Sequence, residues 1–323
     1  MYSLLFSFFY HIIKERCDSM GQEKLANGVT WVYLTDYSPA DLDTVRIQYD
    51  LSSHLMDIIS NSRPRVDILR DKDNNAALIT FDVAENSRFS GDVIVEPIHI
   101  LIQDKLIVTF TQGETNYVNG TMVDVIADLS EDSKSHLEPI DLALKLIFEL
   151  TDLYFDKVEG MNAVRTKIQT QIGKDNDKKA IKRLMEIQTN LVFFMTALTA
   201  NSNLLEAWQH EYDHVLDAHQ MEILQDDMMQ ARQAIERSNT ANSAATMVSN
   251  AISNMLDDRT NRIMKFLTIV SMLLSIPTIV FSALGQNVLL PSGMNLADTV
   301  YISGMLLFIT TCLIYLYLKW GNK

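Results

Sequence analysis

Five hydroxyl side chains, Thr268, Ser271, Ser275, Thr278 and Ser282, recur at intervals of three, four, three and four residues. At about 100° per residue, that spacing puts all five on one face of a helix. Extended backward the stripe reaches Met264 and Asn261, and forward it reaches Gly285. The other faces carry Phe266, Ile269, Val270, Leu273, Ile276, Ile279 and Phe281. Hydroxyls on an otherwise apolar helix have two uses. They can pack helices closely against one another, or one such face from each of several identical copies can enclose a hydroxyl-lined pore for cations. A single hairpin needs only a short contact strip, whereas this stripe runs the whole length of the apolar stretch, which favours the pore.

A second constellation, His210-Glu211-Tyr212-Asp213-His214, spells H-E-x-x-H within a predicted helix. Two histidines four residues apart would share a face and bind Zn²⁺, with Glu211 as general base of a metallohydrolase. Asp213 is an unusual charge inside such a string, and no third-ligand pattern follows it. The plainer reading is a solvated acidic helix face. A weaker, regulatory metal face from His210, His214 and Asp217, at i, i+4 and i+7, is a further alternative. Elsewhere no Gly-rich phosphate loop and no Ser/His/Asp constellation appears. The chain is therefore not expected to be an enzyme or to hold an organic cofactor.

Elements of two unlike kinds must position these residues. The 323 residues include 27 Lys+Arg against 41 Asp+Glu, a formal net charge of −14, yet 47% are hydrophobic and the mean hydropathy is +0.03. The acidity argues against nucleic acid and suits cations. The two cysteines, Cys17 and Cys312, exclude a disulfide scaffold. The apolar excess lies at the C-terminal end, in uncharged runs at 266–284 and 299–318. Each is long enough to cross a bilayer core of about 30 Å, so two transmembrane helices are expected. Arg259, Arg262 and Lys265 precede the first run, Lys319 and Lys323 follow the second, and 285–298 contains no Lys or Arg. The positive-inside rule then places both termini in the cytoplasm of a multi-pass cell-membrane protein, with 285–298 as an external loop and 319–323 as a cytoplasmic tail. Residues 1–20 form an N-terminal extension whose apolar stretch is too short to span.

The cytoplasmic body reads as α+β. In 21–135, Thr30–Leu34 and Ala77–Val83 are strand-like, Pro39–Ser60 carries a helical pattern, and Ile98, Ile100, Ile102, Leu106, Val108 and Phe110 alternate around a turn at Gln103-Asp104-Lys105. Helices follow over 136–203. Between Gly173 and Pro277 there is neither Gly nor Pro, so that stretch is nearly all helix, with a break expected around Thr199–Asn203. A stalk helix over 204–265 then continues into the first span. Such a helix requires neighbours from its own chain or from other copies.

The stretch Asn261-Arg-Ile-Met264-Lys265-Phe-Leu267-Thr268, then Pro277-Thr278, then Gly285-Gln286-Asn287-Val288 with Pro291, resembles the CorA-type divalent-cation channel family. Leu224-Gln-Asp226 and Gln233-Ala-Ile-Glu236 are similar to its stalk helix. The resemblance implies a homopentameric funnel in a lipid bilayer, with a mixed-sheet cytoplasmic domain, a long stalk helix and two C-terminal transmembrane helices. It implies passive flow of Mg²⁺, with Co²⁺ or Ni²⁺ tolerated, gated by divalent ions bound between cytoplasmic domains. Met264 and Leu267 would form the hydrophobic constriction, Thr278 a pore hydroxyl, Gly285-Gln286-Asn287 the selectivity filter, and Asp226 a stalk ligand for a regulatory Mg²⁺. Gln286 replaces the family's Met, Ser275 stands where some members have a bulky Met, and the acidic external loop is missing. A literal Gly293-Met294-Asn295 lies eight residues later, where using it would bring Pro291 and Gly293 into the helix end; the filter is therefore placed at 285–287. A non-conducting, membrane-anchored scaffold is the alternative that Gln286 keeps open.

Overall fold

The computed structural model describes residues 19–61, 64–71, 74–84, 95–130, 135–171, 177–212, 214–285 and 296–321. Six strands, β1 (Met20–Lys24), β2 (Thr30–Thr35), β3 (Asp67–Asp71), β4 (Ala76–Ala84), β5 (Val95–Gln103) and β6 (Leu106–Thr111), form one sheet in the order β1-β2-β6-β5-β4-β3. The sheet is mixed: β2 runs parallel to β6 and the other pairings are antiparallel. β5 and β6 form the expected hairpin, with Gln103 opposite Leu106 and Asp104 in the left-handed region at φ 40°. That conformation suits Asp, whose short polar side chain tolerates a positive φ.

The strand period of two sends alternate residues to two cores. On one face Val32, Leu34, Leu78, Leu101, Val108 and Phe110 pack with helices α1 (Pro39–Gln48) and α2 (Ser53–Ile59). These helices divide the single helical pattern read from Pro39–Ser60. Asp50 turns to φ 51° between them, and the Ser52 hydroxyl accepts the Leu55 N–H to start α2. On the other face Trp31, Ile79, Phe81, Ile98, Ile100 and Ile107 pack with α3 (Tyr117–Ala127), α4 (Pro139–Thr170), α5 (Asp177–Tyr212) and the start of α6 (Ala218–Gly285). The last helix is α7 (Leu296–Gly321).

The break expected at Thr199–Asn203 lies instead between Tyr212, the last residue of α5, and Ala218, the first of α6. Asn201, fully buried, does not interrupt α5. Its Oδ1 accepts from the Asp82 N–H at 3.0 Å and its Nδ2 donates to the Asp82 carbonyl at 2.8 Å, while Tyr154 Oη donates to that carbonyl at 3.0 Å. The polar cluster that looked like a helix breaker is the clamp that fastens α4 and α5 to β4. The actual restart is a reciprocal cap: the Gln220 N–H donates to Asp217 Oδ1 at 2.8 Å, and the Asp217 N–H donates to Gln220 Oε1 at 3.2 Å. Gln220 Nε2 also donates to Glu138 and Asp141 at the start of α4, at 3.1 and 3.0 Å.

The chain divides into two compact units, one ending at Ser249 and the other beginning at Asn250. The sheet and its packed helices belong to the first; the hydroxyl stripe belongs to the second.

Candidate functional site: the polar face of the long helix

The stripe lies on α6, and Asn261, Met264, Leu267, Thr268, Ser271, Ser275, Thr278 and Ser282 are all exposed. Three hydroxyls are spent on the helix itself. Thr268 donates to the Met264 carbonyl at 2.8 Å, Ser275 to Ser271 at 2.7 Å and Thr278 to Leu274 at 2.8 Å. Donation back to the i−4 carbonyl points the proton inward and leaves the oxygen lone pairs facing out. A face of outward lone pairs suits a hydrated cation. Below it, Met264 and Leu267 are each more than half exposed, at 58% and 57%, and a ring of such residues would make an apolar constriction.

The other surfaces of this unit are apolar and equally uncovered. Phe266, Leu274 and Ile279 on α6, and Tyr301, Met305 and Phe308 on α7, are exposed. Among the described residues no helix is long and apolar enough to cross a membrane; the runs 266–284 and 299–318 each contain positions whose side chains lie outside that description. Gly285 is the last residue of α6, and Gln286 and Asn287 lie outside the described residues.

The H-E-x-x-H string does not form the face that zinc chemistry requires. α5 ends at Tyr212, so His210 is in its last turn, while exposed His214 stands in the turn beyond it. The i, i+4 relation of a shared helical face is lost. Asp217, the third candidate, is the cap of α6. Among the described residues no three His, Cys, Asp or Glu side chains form a metal-holding group. Within one chain, therefore, neither the zinc arrangement nor a group of His210, His214 and Asp217 is formed among the described residues.

Asp226 is exposed on α6 and belongs to no such cluster among the described residues. Its neighbour Asp227 was missed by the sequence reading and is fully buried. Neither carboxylate oxygen of Asp227 has a hydrogen-bond partner among the described residues. Burial, with the like charge of Asp226 second, pushes its pKa up to about 8. The signal was present: Asp227 follows Leu224 by three residues and precedes Ala231 by four, and both are buried. Asp226 falls one position off that face.

Comparison with known proteins gives the family. The model of the CorA-like Mg²⁺ transporter protein family matches residues 26–319. No curated protein matches the chain in sequence. Among solved structures, the complete CorA magnesium transporter from Methanocaldococcus jannaschii is similar at 17% identity and TM-score 0.75, over 90% of this chain and 89% of that one. The soluble domain of the same transporter is similar at 16% identity and TM-score 0.60, over 69% and 86% of the two chains. The full-length CmaX protein is similar at 15% identity and TM-score 0.62, over 90% and 89%. These likenesses show a shared fold, and the match of the family model over nearly the whole chain places this protein in the CorA-like Mg²⁺ transporter family.

Proposed function

We propose that this chain forms a homopentameric, passive channel for divalent cations, with Mg²⁺ as its main substrate. The family's activity supports divalent-cation transport in general. The observation that carries the finer reading is the exposed hydroxyl face of α6, flanked by exposed apolar residues. A monomer in water would not leave so much contiguous apolar surface bare. Neighbouring copies would cover the polar stripe, and the hydrocarbon of a bilayer would cover the apolar flanks and α7. Both apolar runs would then span, with both termini in the cytoplasm.

In this arrangement five copies of Asn287, beside Gly285 and Gln286, ring the outer mouth. Amide oxygens hold a hydrated Mg²⁺ without stripping its tightly bound water. The hydroxyls of Thr268, Ser271, Ser275, Thr278 and Ser282 replace part of the outer hydration as the ion descends. Met264 and Leu267 close the inner end by dewetting. A regulatory divalent ion at Asp226 would take its remaining ligands from another copy, because its own chain supplies no cluster among the described residues.

Liposomes loaded with a Mg²⁺-sensitive dye test this reading. Reconstituted protein passes Mg²⁺ under an inside-negative potential, and Asn287→Ala abolishes selective uptake. Intact pentamers without flux would leave the membrane-anchored scaffold as the function.

A further inference from the structure

An acidic chain carries one strongly basic sector. Residues 157–171 and 177–183, the end of α4 and the start of α5, hold seven Lys/Arg against two Asp/Glu, although the whole chain has a net charge of −14. Within that sector a groove of about 750 Å³ opens between α4 and α6. Its floor is small and apolar, with Ala163, Ala241 and Ala244. Arg165, Lys167 and Arg237 line its walls with Thr240, whereas Thr166 and Thr170 donate their hydroxyl protons to the Asn162 and Lys167 carbonyls at 2.9 and 2.8 Å. Glu159 is its one acidic lining residue.

The cations of this groove are placed but not neutralised. Arg165 donates to Asn162 Oδ1 at 3.4 Å, Gln169 Oε1 at 3.1 Å and Thr166 Oγ1 at 3.3 Å, all uncharged acceptors. Arg237 lies over the Phe155 ring at 5.4 Å. A cation–π contact orients the guanidinium and leaves its charge intact. Among the described residues no carboxylate pairs with Arg165, Lys167 or Arg237; the ion pairs of Arg46, Arg183 and Arg232 lie outside the lining. Two helices thus bring three cations to one cavity that has a single acidic lining residue, a balance of charge that attracts an anion.

We infer that this groove binds a small, multiply charged phosphate compound in its metal-free form. Guanidinium groups match phosphate oxygens with paired, charge-assisted hydrogen bonds. The volume lies in the range of sites for whole small molecules, far above that of a single inorganic phosphate. The lining contains no aromatic side chain, so no ring is offered to a nucleobase and the phosphates provide the recognition. Mg²⁺ is itself held in proteins chiefly with phosphate oxygens. Chelation neutralises the charge that the groove reads, so the metal-free anion binds tighter. Resting on the transport reading, the groove would then report depletion of the transported ion; the binding itself does not depend on transport.

Calorimetric titration of the full-length protein in nanodiscs of zwitterionic lipid, with pyrophosphate and then a nucleoside triphosphate, tests the site. Saturable binding is expected in a low-salt buffer, weakening as salt rises because exposed charge pairs are screened. Arg165→Gln and Arg237→Gln each lower affinity by about tenfold, the loss of one charge-assisted contact, while Arg46→Gln on α1 changes nothing. Saturating Mg²⁺ weakens pyrophosphate binding by a similar factor. A soluble short-chain phosphatidic acid is titrated as competitor. Tighter binding by that lipid would assign the groove to a headgroup and overturn the free-anion proposal. Absence of saturable binding, equal affinity in Arg165→Gln, or indifference to Mg²⁺ would each overturn it as well. Flux in liposomes is read separately, so a failed channel and a failed groove give different results.

Discussion

Replacing Asp227 by Asn should stabilise the protein at neutral pH, because the folded carboxyl is already held uncharged there. Asp227 sits in the core that joins α5 and α6, beside positions filled by Leu224 and Ala231, with both carboxylate oxygens buried and unpartnered among the described residues. Ionisation there lacks both water and a counter-charge, which is why its pKa rises from 3.8 to about 8. The folded form therefore holds a proton at pH 7 that the unfolded form has lost. A raised carboxyl pKa contributes its stability in full below the unfolded value and loses it as pH climbs through the folded one. Between the unfolded pKa and pH 7 lie roughly three units, so the linkage costs up to about 4 kcal/mol at pH 7. An Asn side chain keeps the shape of the protonated acid and removes the linkage, so a gain of about 2–4 kcal/mol is expected. For a unit of this size the unfolding midpoint should rise by roughly 5–10 °C. Thermal unfolding of the detergent-solubilised full chain, followed by tryptophan fluorescence, reads it, since buried Trp208 lies in the same core. The advantage should shrink toward pH 4 and be complete above about pH 8. Parallel pH dependences of the two proteins, or an Asp227→Asn variant less stable at every pH, would refute the reasoning and indicate a charged carboxylate held by a cation.

Asn201→Ala removes both hydrogen bonds to the Asp82 backbone and orphans a buried N–H. A loss of about 2–3 kcal/mol is expected in denaturant unfolding, with α5 exchanging amide protons faster near its middle. His99 is buried against Thr80 at 3.0 Å, and burial lowers its pKa to about 4. A depressed histidine contributes its stability in full above about pH 6.5 and loses it as pH falls toward 4. The His99 ring should therefore still be neutral at about pH 5 in an NMR titration, where an ordinary exposed histidine is charged. On the proposed pore, Ser275→Asp should change single-channel conductance severalfold, because a carboxylate facing an ion path alters cation occupancy directly. Ile279→Asp, off the stripe, should instead lower the yield of assembled protein through the cost of a charge in hydrocarbon.

Much of the fold was legible because it rests on short-range periodicity. The alternation from Ile98 to Phe110 requires a hairpin, and the structure forms it with a two-residue turn at Asp104-Lys105. Within the Gly- and Pro-free stretch, Asp177–Tyr212 and Ala218 onward are helical, as the composition requires. Helical phase also identified the polar face of α6, and each of its seven residues from Asn261 to Ser282 is exposed. Where the reading failed, a distant partner decided. Asn201 and Ser202 look like loop residues in isolation, and they stay helical because β4 offers Asp82's backbone, 119 residues away, as a hydrogen-bond partner. His210 and His214 have ligand spacing only if helix continues between them, and the Asp217–Gln220 cap, tied to α4, restarts the chain before it can.

Sequence by itself determined the kind of surface each element carries, since side-chain phase and polarity are local properties of the chain. It therefore yielded the hydroxyl stripe, the apolar C-terminal unit and the mixed α+β body. Only the tertiary structure decided which charges remain uncompensated, because neutralisation depends on groups brought together from far along the chain. Asp227, one residue from the expected Asp226, is buried without a partner among the described residues. Arg165 and Arg237, 237 − 165 = 72 positions apart in sequence, line one groove in which no described carboxylate pairs with either.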